Sequence, residues 1–171
     1  MNNNFSEFGK RINNRFFFNQ FLFSKLPAAF FAGLKIEAFN EREAIVSVKQ
    51  KWFNTNPFRS IYFAVLTMAG EMSTGLLCMG NIYNRQPAIS MLVIEQRSLF
   101  HKKATGKVLF TCADGNKIMN AVEDAVAGGN AVTVTCHSKG IDSHNTLIAE
   151  CWITWSFKSR NSKTISPAGQ L

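Results

Sequence analysis

The first signal along the chain is helical. From Ser6 the apolar positions Phe8, Ile12, Phe16, Phe23 and Leu26 recur at near-helical spacing, with Lys10, Arg11, Arg15 and Lys25 between them. One amphipathic helix is therefore expected over 6–26, closed by Pro27. Two strand signals follow, Leu34 to Phe39 and Ala44 to Lys49, joined by Asn40-Glu41-Arg42, which suits a hairpin turn. Between Ser60 and Asn84 comes an apolar run rich in Ala, Met, Leu and Gly whose one charged residue is Glu71, and it predicts a buried central helix. Asn54-Thr55-Asn56-Pro57 supplies cap and turn residues ahead of it. A run of about 20 apolar residues also suffices to cross a bilayer, but Thr67, Gly70, Glu71, Ser73, Thr74 and Gly75 make the middle of this one too polar and small. After Pro87 the pattern becomes period two and β-branched, with strands expected at 88–100, 106–113, 131–139 and 147–158. In the last, Leu147, Ala149, Cys151, Ile153, Trp155 and Phe157 share one face, so one side of the sheet is buried and the other partly wet. Asp114 is placed to cap a short helix that carries Ile118, Ala121, Val122 and Ala125 on one face and ends at Gly128-Gly129.

Helix, two strands, a long apolar helix and four strands with a helical insertion read as an α+β protein in which a sheet wraps one helix. The expected organisation is an N-terminal helical segment, 1–32, packed on a single domain, 33–158, with a disordered tail over 159–171. The basic, Phe-rich first helix has two readings: it packs its Phe stripe on the domain, or it touches a membrane surface without stable insertion. Asn19, Gln20 and Lys25 interrupt the apolar centre that a signal peptide requires, so a cytoplasmic location is expected.

Composition sharpens this picture in three ways. Hydrophobic residues make up 46% and charged residues 18%, so exposed surface is scarce and an oligomer interface is expected. The net charge of +8 favours anionic partners, but Lys and Arg are scattered and no nucleic-acid motif accompanies them, so nucleic acid is not expected as a partner. Cys78, Cys112, Cys136 and Cys151 stand far apart without a C-x-x-C pair, which predicts reduced, buried thiols. His101, His137 and His144 lack metal-ligand spacing and read as structural or surface residues, so neither a metal nor a cofactor is expected.

Glu71 is the residue that asks for an explanation. An ionised carboxylate in an apolar setting costs several kcal/mol unless it is hydrogen-bonded, paired or raised in pKa. Either it meets a backbone group or an Arg such as Arg59 or Arg97, or it is a general base or nucleophile moved toward neutrality by burial.

The stretch Asn56-Pro57-Phe58-Arg59-Ser60-Ile61-Tyr62-Phe63-Ala64, followed by Met68-Ala69-Gly70-Glu71-Met72-Ser73-Thr74-Gly75, resembles the hotdog-fold acyl-CoA thioesterases, in particular the phenylacetyl-CoA-thioesterase-like group and a branch beside it. The resemblance covers residues 33–158. It sets Asn56 and Glu71 on the family's Asn and acid positions, and Tyr62-Phe63-Ala64 where the family has His-Gly-Gly. It implies an antiparallel sheet wrapped around the long helix, a homodimer or dimer of dimers joined edge to edge, and hydrolysis of acyl-CoA or a related thioester. Glu71 would activate water or attack the carbonyl, Asn56 would orient, and the N–H of Phe63 or Ala64 would hold the oxyanion. Tyr62 stands in for the family His as a hydrogen-bond donor, and Ser90 falls near a family hydroxyl. Lys102 and Lys103 could meet the phosphates of coenzyme A. Two other readings fit the same fold: an acyl-binding protein without turnover, and a dehydratase or isomerase, which would want a His where Tyr62 stands.

Overall fold

A computed structural model describes residues 3–160. The first departure from the pattern comes at Asn14. Its backbone is extended and its side chain accepts from the N–H groups of Phe16 and Phe17, so it ends one helix and caps the next. Two helices, α1 (Asn3–Asn13) and α2 (Arg15–Lys25), replace the single one expected over 6–26. Pro27 opens a third, α3 (Pro27–Ala32), because a locked φ and a missing N–H suit the first helical position. Gly33, with φ of 81°, closes it in the left-handed conformation.

The break resets the helical phase. Phe5, Phe8 and Ile12 of α1 and Phe18 and Leu22 of α2 are buried, whereas Phe16 and Phe23, expected in the packed stripe, are exposed. Phe5 and Phe8 reach Phe39 at ring-centroid distances of 5.0 and 5.8 Å, and this joins α1 to the first strand.

The hairpin β1 (Lys35–Phe39) and β2 (Ala44–Lys49) forms as its alternation predicts, and Asn40 Oδ1 accepts from the N–H groups of Arg42 and Glu43 in the turn. The long helix α4 runs from Phe63 to Ile82 and buries Ala69, Met72, Leu76, Leu77 and Cys78. Residues 54–57 do not cap it: Tyr62 is its N-cap, with no side-chain bond, and Asn54 and Asn56 organise the loop ahead of it. Asn54 is buried, donates to Ala32 O and Lys49 O at 3.0 Å each, accepts from Lys51 N at 2.9 Å, and its own carbonyl accepts from Tyr62 N at 2.8 Å. One residue, through its side chain and its carbonyl, thus pins α3, the end of β2 and the start of α4 together.

The remaining strands are β3 (Ile89–Phe100), β4 (Lys107–Cys112), β5 (Val132–Asp142) and β6 (Leu147–Ser159), with α5 (Gly115–Gly128) between β4 and β5. Asp114 precedes α5 as foreseen, but its carboxylate accepts from His137 N at 2.7 Å instead of capping the helix. The six strands form one antiparallel sheet in the order β1-β2-β4-β5-β6-β3. The face of β6 that carries Cys151, Ile153, Trp155 and Phe157 packs inward, and α4 lies across that side of the sheet. The helix comes very close at Gly70, where a β-carbon would lie 2.6 Å from Cys151 Sγ. β3 is an edge strand. The tail expected from 159 onward lies, beyond Arg160, outside the described residues.

Candidate active site

Glu71 sits two turns into α4, on the helix face that looks toward β3. One turn earlier Thr67 Oγ1 lies 3.5 Å from Ser98 Oγ of β3, and a spacing of four residues puts Glu71 on the same side. Its carboxylate and the Trp155 indole both border Gly75, where a β-carbon would be 3.2 Å from Glu71 Oε1 and 3.3 Å from the ring. Trp155 is itself held by its Nε1–H, which donates to Thr74 Oγ1 at 2.9 Å. Among the described residues Glu71 has no hydrogen bond or ion pair, so neither Arg59 nor Arg97 is the partner that a structural role would need. Burial raises the Glu71 carboxyl above its ordinary value of 4.5.

Beside it, β3 turns a polar row toward the helix. A bulge between Val93 and Glu95 shifts the register, so that Gln96 and Ser98 oppose Ile153 and Cys151 on the inward face. The Gln96 amide donates to Ser98 Oγ, which in turn lies 3.2 Å from Cys151 Sγ. Thr67, Gln96 and Ser98 were not singled out in the sequence. Only the bulge brings this stretch of β3 inward, and no residue pattern marks it.

The start of α4 lies about 12 Å from Glu71 along the axis at 1.5 Å per residue. The first hydrogen bonds onto the helix are donated by Val65 and Leu66 to Tyr62 O, which leaves the Phe63 and Ala64 N–H groups ahead of the ladder. Phe63 is half-exposed and packs edge-on against Tyr62 at 4.8 Å and Phe100 at 5.8 Å. Asn56 lines a cleft of about 440 Å³ with Phe58, Phe63, Phe100, Lys102 and Lys103. Its carboxamide is committed to the loop, accepting from Phe58 N at 3.0 Å and from Ser60 N and Oγ at 3.2 Å each. A larger cleft, about 670 Å³ between α1 and the β1–β2 turn, is lined by none of these residues.

The structure thus gathers Asn56, Tyr62, Phe63 and Ala64 at the head of α4 and places Glu71 two turns below them. Ser90 is not brought in. It alternates with Ile89 and Met91, which pack on the core, so it points to the opposite face of the sheet, where its hydroxyl donates to Lys158 O at 3.1 Å.

On that opposite face the histidines do something the sequence hides. His101 Nε2 lies 3.1 Å from Glu150 Oε2, and His137 Nε2 lies 3.0 Å from Glu150 Oε1, though off the line of a hydrogen bond. His137 stacks on Trp152 at 4.6 Å, with the Arg97 guanidinium 5.2 Å from the same indole. No group of three or more His, Cys, Asp or Glu able to hold a metal ion occurs among the described residues.

No protein-family model and no curated protein matches the chain. Solved structures do. A probable thioesterase from Pseudomonas aeruginosa superposes with a TM-score of 0.71 at 18% identity, over 84% of this chain and 95% of that one. A protein of unknown function from Chlorobaculum tepidum gives 0.70 at 15%, over 83% and 92%. A thioesterase from Haemophilus influenzae gives 0.60 at 13%, over 86% and 90%. The sheet order, the central helix and these superpositions make this chain a hotdog-fold protein, similar in backbone to solved proteins described as thioesterases.

Proposed function

We propose that the protein hydrolyses acyl thioesters, acyl-CoA foremost, as a homodimer or dimer of dimers in the cytoplasm. The observation that carries this reading is Glu71: an unpartnered carboxylate, raised in pKa by burial beside Trp155, in a helix otherwise without charge. Such a group is a stronger base than an ordinary carboxylate, and in its ionised form it takes the proton from a water. The hydroxide adds to the thioester carbonyl and the thiolate leaves with the proton. The oxyanion is held at the positive end of α4 by the Phe63 and Ala64 N–H groups, which stand about 12 Å up the same helix and so would meet the Glu71 water from the second subunit. Direct attack by the carboxylate would use the same groups. Asn56 acts through the loop it organises, which fixes the head of the helix, and the half-exposed Tyr62, packed on Phe63, would donate its hydroxyl in place of the family His. Lys102 and Lys103, on the cleft rim, suit the phosphates of the carrier. Two subunits would meet along the β3 edge, next to the Glu71 face of α4.

A second reading, acyl-CoA binding without turnover, is favoured by the Phe63 ring at a point where close approach of the substrate to the backbone is needed. Thiol release from a panel of short, long and aromatic acyl-CoAs, compared with Glu71→Gln, separates the two. A fall of about a hundredfold or more in the variant supports the hydrolase. Binding without turnover in the native protein supports the second reading, and turnover indifferent to Glu71→Gln removes Glu71 from the mechanism.

A further inference from the structure

α2, α3 and the 3₁₀ turn Trp52–Asn54 carry an aromatic surface that the domain does not cover. Phe23 meets Phe30 at 5.3 Å, Phe30 meets Phe31 at 5.5 Å and Phe31 meets Phe53 at 5.8 Å, an unbroken chain of rings from α2 to the turn. Trp52, adjoining Phe53, is 89% exposed, and Phe16, two turns before Phe23 on α2, is 73% exposed. Isolated exposed apolar residues are ordinary on a soluble protein; contiguous rings of this size mark a contact surface.

The charge around the rings says what kind. From residue 8 to residue 36 the chain has Lys10, Arg11, Arg15, Lys25 and Lys35 and no Asp or Glu. Arg15, Lys25 and Lys51, on the elements that bear the rings, make no ion pair among the described residues. The Lys51 ammonium lies over Gly33 at the end of α3, because a β-carbon there would be 2.6 Å from its Nζ. Two copies of this surface would set basic rim against basic rim, so self-association is opposed by charge. An anionic bilayer complements both features at once: Phe and Trp rings enter the headgroup boundary while Arg and Lys meet lipid phosphates. At 11 and 6 residues α2 and α3 are too short to span, so contact is peripheral.

We propose that this aromatic shelf docks the protein on anionic phospholipid membranes. The test is co-sedimentation with vesicles of phosphatidylcholine, alone or with a quarter phosphatidylglycerol, together with Trp emission. Binding to the anionic vesicles, weakened by salt, is expected, with Trp52 emission shifted to the blue and quenched by lipids brominated in the acyl chain. Phe16→Ser with Phe23→Ser should cut binding by about tenfold or more without lowering Tm, since both rings are exposed. Trp52→Phe should keep most of the binding and lose most of the emission change. Equal or absent sedimentation with the two vesicle types overturns the proposal, as does binding untouched by the Phe16 and Phe23 substitutions. If those substitutions lower the native mass in light scattering while vesicles leave Trp52 unquenched, the shelf is a subunit interface and the proposal fails.

Discussion

At the scale of single residues, burial governs the chemistry that can be measured. Glu71 is protonated at higher pH in the folded protein than in the unfolded chain, whose carboxyl titrates near 4.5. Between those two values the folded state holds a proton that the unfolded state has released, so stability falls as pH rises through that window and is flat above it. Glu71→Gln removes this loss. The variant should be more stable than the native protein at pH 8 and lose that advantage toward pH 4, as a Tm difference by calorimetry that shrinks with falling pH. A residue kept for stability would give the opposite sign. The thiols follow the same logic. Burial pushes Cys112 up to about 12 and raises Cys78 and Cys151, so a disulfide reagent should label almost none of the 4 cysteines in the native protein at pH 8 and all of them in guanidinium.

At the scale of elements, the distance between α4 and the sheet is set by a missing side chain. Alanine is a better helix former than glycine by about 1 kcal/mol, yet a β-carbon at Gly70 would meet Cys151 Sγ at 2.6 Å and Cys151 Cβ at 2.9 Å. Gly70→Ala should therefore cost about 1–3 kcal/mol in urea denaturation. Gly128, at the end of α5, faces open space, and Gly128→Ala should be neutral or slightly stabilising in the same assay. Neither glycine looks different from the other in the sequence. The amphipathic patterns of β6 and α5 were legible because each has a wet side and a dry side, whereas α4 is apolar nearly all round and shows its length but not its orientation.

For the whole molecule, β3 is the exposed edge of the sheet, 12 residues long, with Leu92 and Ile94 exposed along it. A long apolar edge invites pairing with another strand. Leu92→Lys with Ile94→Lys should halve the native mass in light scattering if β3 joins the subunits, and thioester hydrolysis should fall with it, because Glu71 faces that edge. An unchanged mass would move the interface elsewhere. The loop before α4 matters at this scale too, since Asn54 ties three elements together and so sets where the head of the helix, with its free N–H groups, stands relative to the cleft.

The sequence by itself determined the strands, the central helix and the solitary acid within it, because alternation, apolar run length and the cost of a buried charge are local properties. It also carried the Asn14 cap and the Pro27 helix start, though periodicity runs straight through Asn14 and sets Pro27 at the end of one helix instead of at the start of the next. Tertiary structure alone decided which groups meet. The bulge in β3 turned Gln96 and Ser98 toward α4, strand alternation turned Ser90 away, and sheet pairing set His101 and His137 on either side of Glu150. It also decided that Phe16 and Phe23 face solvent, since helical phase survives only until a cap resets it, and which face of a helix is buried depends on what the rest of the chain brings against it.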